Sequence, residues 1–166
     1  MKKCFVLIIC FSFLGFKHLY SQNEKFKALF IYNFTKYIEW PTGSTDKTFT
    51  ISVLGDSPIK PELESISQLK KIGNATIIVK TAATVSDIGD SHIVYVPPQK
   101  KKFISELTAQ MIGKPVLIIT DEAQGGFGIN FVEIDQKQSF QISKTRIEAH
   151  RLKVNSTLLS LGIVVN

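Results

Sequence analysis

The chain has 166 residues, 44% of them hydrophobic, and carries 20 basic against 14 acidic side chains for a net charge of +6. Its only cysteines, Cys4 and Cys10, fall in a segment that reads as an export signal, which excludes disulfides, thiol catalysis and cysteine-held metals from the chain beyond it. Removal of that segment takes Lys2, Lys3 and Lys17, and the remaining +3 (17 basic against 14 acidic groups) is too weak a bias to argue for nucleic acid.

The signal has three parts: Lys2 and Lys3, an apolar run from Phe5 to Phe16, and Leu19-Tyr20-Ser21 before Gln22. Cleavage is expected after Ser21. The run is shorter than the roughly 18 apolar residues that span a bilayer, so a retained anchor is disfavoured. Cys10 lies inside the run behind bulky Ile9, which does not suit lipid attachment. Residues 22–166 then form one domain, long enough for a proper core.

From Asn23 to Trp40, Phe26, Phe30, Phe34, Tyr37 and Ile38 recur at spacings of three and four, which predicts a helix with one wide buried face ended by Pro41 and Gly43. Asn33 falls inside that stripe, so its amide needs partners in the core or at a pocket. Thr48 to Leu54 reads as a strand, and Gly55-Asp56-Ser57-Pro58 turns it into a helix through about Leu69. Ala75 to Lys80 and His92 to Val96 are continuous apolar runs, expected to be strands covered on both faces. Pro97 and Pro98 open a helix through about Ile112, and Val116 to Thr120 is another buried strand.

The rhythm then changes. Phe127, Ile129 and Phe131 alternate, Asp135-Gln136-Lys137 turns, and Phe140 and Ile142 alternate again, which predicts a hairpin. Ser143 is a candidate cap for a helix ending near His150, and Leu158, Leu159 and Leu161 lead to Ile163 and Val164 in a closing amphipathic piece. Strands alternating with helices predict an α/β fold: a single three-layer domain, its sheet mostly parallel, with helices on both faces and an antiparallel hairpin near the carboxyl terminus.

Catalytic signatures are absent: there is no G-x-S-x-G elbow, no phosphate loop ending in Gly-Lys-Ser/Thr and no His-Glu-x-x-His helix. His92 and His150 show no ligand spacing to another His or Cys, so both read as structural and no metal or cofactor is expected. The run from Gly125 to Asn130 has glycines of a dinucleotide loop but is followed by strand-like alternation, so it reads as a Gly-rich entry to a strand. Lys100, Lys101 and Lys102 sit near a helix amino end and read first as solvated charges, with an acidic lipid headgroup or partner loop as the alternative. Asp121 and Glu122 follow a strand at its carboxyl end, where α/β sheets place ligands, but no second cluster of titratable residues adjoins them in sequence.

Four phrases taken together resemble the YfiR family. They are Phe30-Ile31-Tyr32-Asn33-Phe34-Thr35-Lys36-Tyr37-Ile38-Glu39-Trp40-Pro41, then Val53-Leu54-Gly55-Asp56-Ser57-Pro58, then Gly125-Gly126-Phe127-Gly128-Ile129-Asn130-Phe131, and finally Leu152-Lys153-Val154-Asn155-Ser156-Thr157-Leu158-Leu159. The resemblance runs from about residue 25 to 164. It implies a periplasmic α/β protein, usually a dimer, that represses an inner-membrane diguanylate cyclase by binding its periplasmic sensor domain. Other members serve sensor kinases or other receptors. The disulfide-forming cysteines of the best-known members have no counterparts here, so redox control through such bonds is not expected.

The leading expectation is therefore a non-enzymatic binding module whose contact surface includes Tyr32, Lys36 and Trp40 from the first helix and Gly125, Gly126 and Phe127 from the Gly-rich segment. The competing expectation is a small-molecule receptor using Asn33, Asn130 and Asn155, polar residues in apolar phrases.

Overall fold

The computed structural model describes residues 22–43 and 47–166. The proposed signal, residues 1–21, lies outside them. Among the described residues no helix is long and apolar enough to cross a membrane.

Helix α1 covers residues 22–34. Its inward side is Ala28, Ile31 and Phe34, with Ile38 just beyond, all buried at spacings of three and four. This side is rotated from the expected one: Phe26 is exposed and Phe30 half-buried, because the ring-bearing positions lie toward the flank of the helix. The helix also ends earlier than expected. Residues 35–37 turn, and Ile38–Glu39 (β1) pairs antiparallel with Lys153–Val154 (β9), a partner supplied from far along the chain.

The main sheet is built as strand, helix, strand. Strand β2 (Thr48–Leu54) leads through α2 (Ile59–Leu69) and the short β3 (Lys71–Ile72) to β4 (Ala75–Ala82), which lies parallel to β2 on one side. The chain then crosses to β2's other side and adds β5 (Ile93–Val96) and β6 (Leu117–Asp121), both parallel. Between them run a 3₁₀ segment (Pro98–Phe103) and α3 (Ile104–Met111). Strand β7 (Ile129–Ile134) continues the parallel run, β8 (Lys137–Ile142) returns antiparallel, and β10 (Ile163–Val164) closes the edge. Helices α4 (Lys144–Ala149) and α5 (Ser156–Leu161) connect β8 to β10. The eight strands lie in the order β10-β8-β7-β6-β5-β2-β4-β3.

Alternation along the central strands makes two cores. Ile93, Tyr95, Leu117 and Ile119 point to the side covered by α1 and α2, while Val94, Val96 and Ile118 point to the side of α3. The expected α/β architecture with helices on both faces is thus present, and so is the hairpin. Its tip, Asp135 and Gln136, has φ of 50° and 61°, the pair of left-handed residues that suits a two-residue turn between twisted strands.

Two local expectations need correction. Strand β4 is not covered on both faces: Ala75 and Ile77 pack in the core with Ile59 and Leu63 of α2, while Thr76, Ile78 and Thr81 are exposed. Ser143 precedes α4 but its side chain makes no cap bond; its hydroxyl meets that of Thr145 at 3.2 Å. His150, read as structural, does end α4, where it is buried with Nδ1 3.2 Å from the carbonyl of Lys114.

Candidate functional site

The order of connections reverses at one place in the sheet. From β2 the chain goes one way to β4, and from β5 it goes the other way to β6, so the loops above the carboxyl ends of β2 and β5 diverge and leave a crevice. Ser57 and Pro58 come from the first loop, Pro98 and Gln99 from the second, Tyr95 from β5 itself, and Asp121 and Glu122 from the end of β6. The first two turns of α1 lie across this crevice and close it to a cavity of about 100 Å³.

The cavity wall is charged. Lys27, only 6% exposed, forms an ion pair with Asp121 and donates to Glu24 Oε1 at 3.3 Å. Tyr95, wholly buried in the sheet, donates its hydroxyl to the same Asp121 oxygen at 2.9 Å. Burial raises the Glu24 pKa above the ordinary carboxylate value, against the partial opposition of the Lys27 charge. Burial alone would disfavour the Lys27 ammonium, but its hydrogen bond to Asp121 and the charges of Asp121 and Glu24 outweigh that, and its pKa is raised. Three ionisable groups held this deep bring the cost of desolvation. What they secure is placement: the pair Lys27–Asp121 joins residues 94 positions apart and fixes α1 against the end of β6. Asp121 was visible from sequence as a strand-end carboxylate. Glu24 and Lys27 were missed, although they stand at the same three-residue spacing as the apolar residues that follow.

The loop after β6 is organised by Asn130. Its side chain accepts from Thr120 Oγ1 at 2.8 Å and from Ala123 N at 2.9 Å, and donates to Ala123 O and Gln141 Oε1, each at 3.0 Å. Fully buried and fully bonded, it has no capacity left for a ligand, so the small-molecule role expected for it gives way to a structural one. Asn155 caps α5 by accepting from Thr157 N at 2.8 Å, and Asn33 accepts from Lys36 Nζ at 2.9 Å at the rim of α1 rather than in the core. The three asparagines therefore do not converge on one pocket.

Of the expected contact residues, Lys36 is exposed, with its ammonium 5.0 Å from the centre of the Tyr32 ring. Tyr32 is half-buried and its hydroxyl lies 3.4 Å from the carbonyl of Lys71. Trp40 is half-buried as well, with its ring edge-on to Phe49 at 5.0 Å. Phe127 is only 5% exposed and belongs to the α3-side core, which removes it from any contact surface. Gly125 and Gly126 remain accessible, but on the α3 side of the sheet, whereas Tyr32, Lys36 and Trp40 belong to the α1 side.

The larger exposed apolar feature was not foreseen. Phe26 and Leu29 on α1 are 40% and 47% exposed, and Leu161, Ile163 and Val164 at the end of the chain are exposed too. Both segments pack on one ring: Phe30, tilted against Phe26 with ring centres 4.4 Å apart, lies 6.0 Å from the centre of Phe140, and a Cβ at Gly162 would fall 2.3 Å from that ring. The sheet edge at β10 and the outer flank of α1 are thus brought together around Phe140, with glycine at 162 permitting the approach.

This fold and these phrases agree with a comparison at the family level. The profile of YfiR/HmsC-like proteins matches residues 24–163. The chain belongs to the YfiR/HmsC-like family. That match takes in most of α1, both cores and β10's first residue, and so covers nearly all of the described residues. The family is one of regulators of cyclic-di-GMP signalling rather than of catalysts, and it acts with membrane signalling proteins. No match was found among curated proteins. Among the described residues, no group of three or more His, Cys, Asp or Glu is arranged to hold a metal ion.

Proposed function

We propose that this YfiR/HmsC-like chain is a periplasmic repressor, exported by its first 21 residues, that binds the periplasmic sensor domain of an inner-membrane diguanylate cyclase and holds cyclic-di-GMP low. The observation that supports a binding role is the apolar flank formed by Phe26 and Leu29 beside Leu161, Ile163 and Val164. Isolated apolar residues on a surface need no explanation, but a grouped set at an open sheet edge is the usual mark of a protein contact. Leu29, Asn33 and Lys36 continue along α1 and its following turn, so the flank ends in a cation that gives the contact a polar rim. The receptor partner is of the diguanylate cyclase or sensor kinase type, and the repressor acts as a homodimer.

The test is site-specific photo-crosslinking in cells from Leu29 and, as a control on the opposite face, from Ala109. A crosslink from Leu29, absent from Ala109, to a membrane protein with a cytoplasmic cyclase domain is the expected result. Crosslinking from Ala109 with none from Leu29 would place the contact elsewhere and overturn the assignment of this flank.

A further inference from the structure

On the opposite side of the sheet, α3 and the Gly-rich segment enclose an open groove of about 690 Å³, within the range of small-molecule sites. One wall is a stripe along α3 and the residue just past its end, Ile104, Thr108 and Ile112, whose first and last backbone positions are about 12 Å apart along the axis. Ile112 is 75% exposed, a large apolar side chain presented at the far end of the stripe. The facing wall is backbone. Gly126 has φ +77° and a Cβ there would lie 2.4 Å from Ile104 Cγ2, so only glycine lets the loop close on α3. Space above Gly125 is open, leaving its peptide bare. Thr108's hydroxyl, 2.8 Å from Ile104 O and 3.2 Å from Gly126 O, ties the two walls together.

Charge distinguishes this groove from the crevice under α1. Two cations line it, Lys101 and Arg146, and no carboxylate does. Lys101 stands 3.8 Å from Glu122, which lies outside the lining and is largely exposed; a pair this long in solvent is worth little and is easily exchanged. Arg146 takes part in no ion pair among the described residues. A guanidinium and an ammonium at an apolar slot of this length define one kind of ligand.

We propose that the groove binds a soluble linear acyl anion, a single carboxylate or phosphate head on an unbranched chain of about eight to ten carbons, matched to the length of the α3 stripe. The head pairs with the cations of the lining, Lys101 and Arg146, and the chain lies along Ile104, Thr108, Ala109 and Ile112. The cations draw the head in, and the apolar wall supplies the affinity that charge alone does not. Binding of this kind is a property of the isolated chain and does not depend on the membrane partner proposed above.

Titration calorimetry with decanoate, decyl phosphate, decanol and decyltrimethylammonium tests it on the purified chain. Decanoate and decyl phosphate are expected to saturate one site, decanol to bind at least about tenfold more weakly, and the cation not at all. Arg146→Glu and Ala109→Trp, both at exposed positions, are expected to weaken decanoate about tenfold or more with an unchanged circular dichroism spectrum. Equal binding of decanol, unaltered binding by both folded variants, or adsorption to anionic vesicles without saturable binding of decanoate would overturn the proposal.

Discussion

The two sides of α1 invert the usual distribution of residue types. Its inner side buries a carboxylate and an ammonium, Glu24 and Lys27, at 5% and 6% exposure, while its outer flank shows Phe26 and Leu29 to solvent at 40% and 47%. Ala28, Ile31 and Phe34 hold the inward side by ordinary apolar burial, but Phe26 and Leu29 would gain by turning inward in place of Glu24 and Lys27. The ion pair to Asp121 prevents that, because turning the helix outward would leave the Asp121 carboxylate buried with Tyr95 as its sole partner described above. The inward charges thus orient the helix, and Phe26 and Leu29 are left facing outward.

That contrast can be broken from either side. Lys27→Met is expected to have the largest effect, about 3–5 kcal/mol lost in urea denaturation, since it strips a buried carboxylate of its cation. Asn130→Ala comes next at about 1–3 kcal/mol, because it orphans buried groups in the loop that follows Asp121. Glu24→Gln sharpens the comparison through pH. Glu24's raised pKa means its stabilising contribution is present when protonated and is lost as pH rises through the folded value. Melting temperatures from about pH 4 to pH 7 should therefore shift in the variant's favour as pH increases; a shift in the opposite direction would mean that the Glu24 charge stabilises the fold. Leu29→Asp is expected to change stability least, within about 0.5 kcal/mol, because the side chain already faces water.

Much of the sheet was legible in advance because β2, β5 and β6 are short, β-branched and flanked by Gly or Pro, which leaves little choice of conformation. The hairpin was legible for a similar reason, from alternation on both sides of a polar turn. Helix α1 was not. Its aromatic residues advertise a buried face, yet small Ala28 and Ile31 occupy the contact with the sheet, and charges at Glu24 and Lys27 read as a solvent side until Asp121 is known to be opposite. The early end of α1 depends on β9, a pairing between Ile38 and Val154 that no local pattern encodes. Likewise the groove beside α3 was half visible: the glycines were noted, but Arg146, which gives it a charge, arrives from another element.

The outer flank of α1 is the surface proposed to repress the membrane partner. Intracellular cyclic-di-GMP, measured in cells producing the wild-type chain or Leu29→Asp at equal periplasmic levels, tests it most directly. The wild-type chain should lower cyclic-di-GMP and Leu29→Asp should leave it at the level of cells lacking the chain; equal lowering by both would mean that repression does not run through this flank.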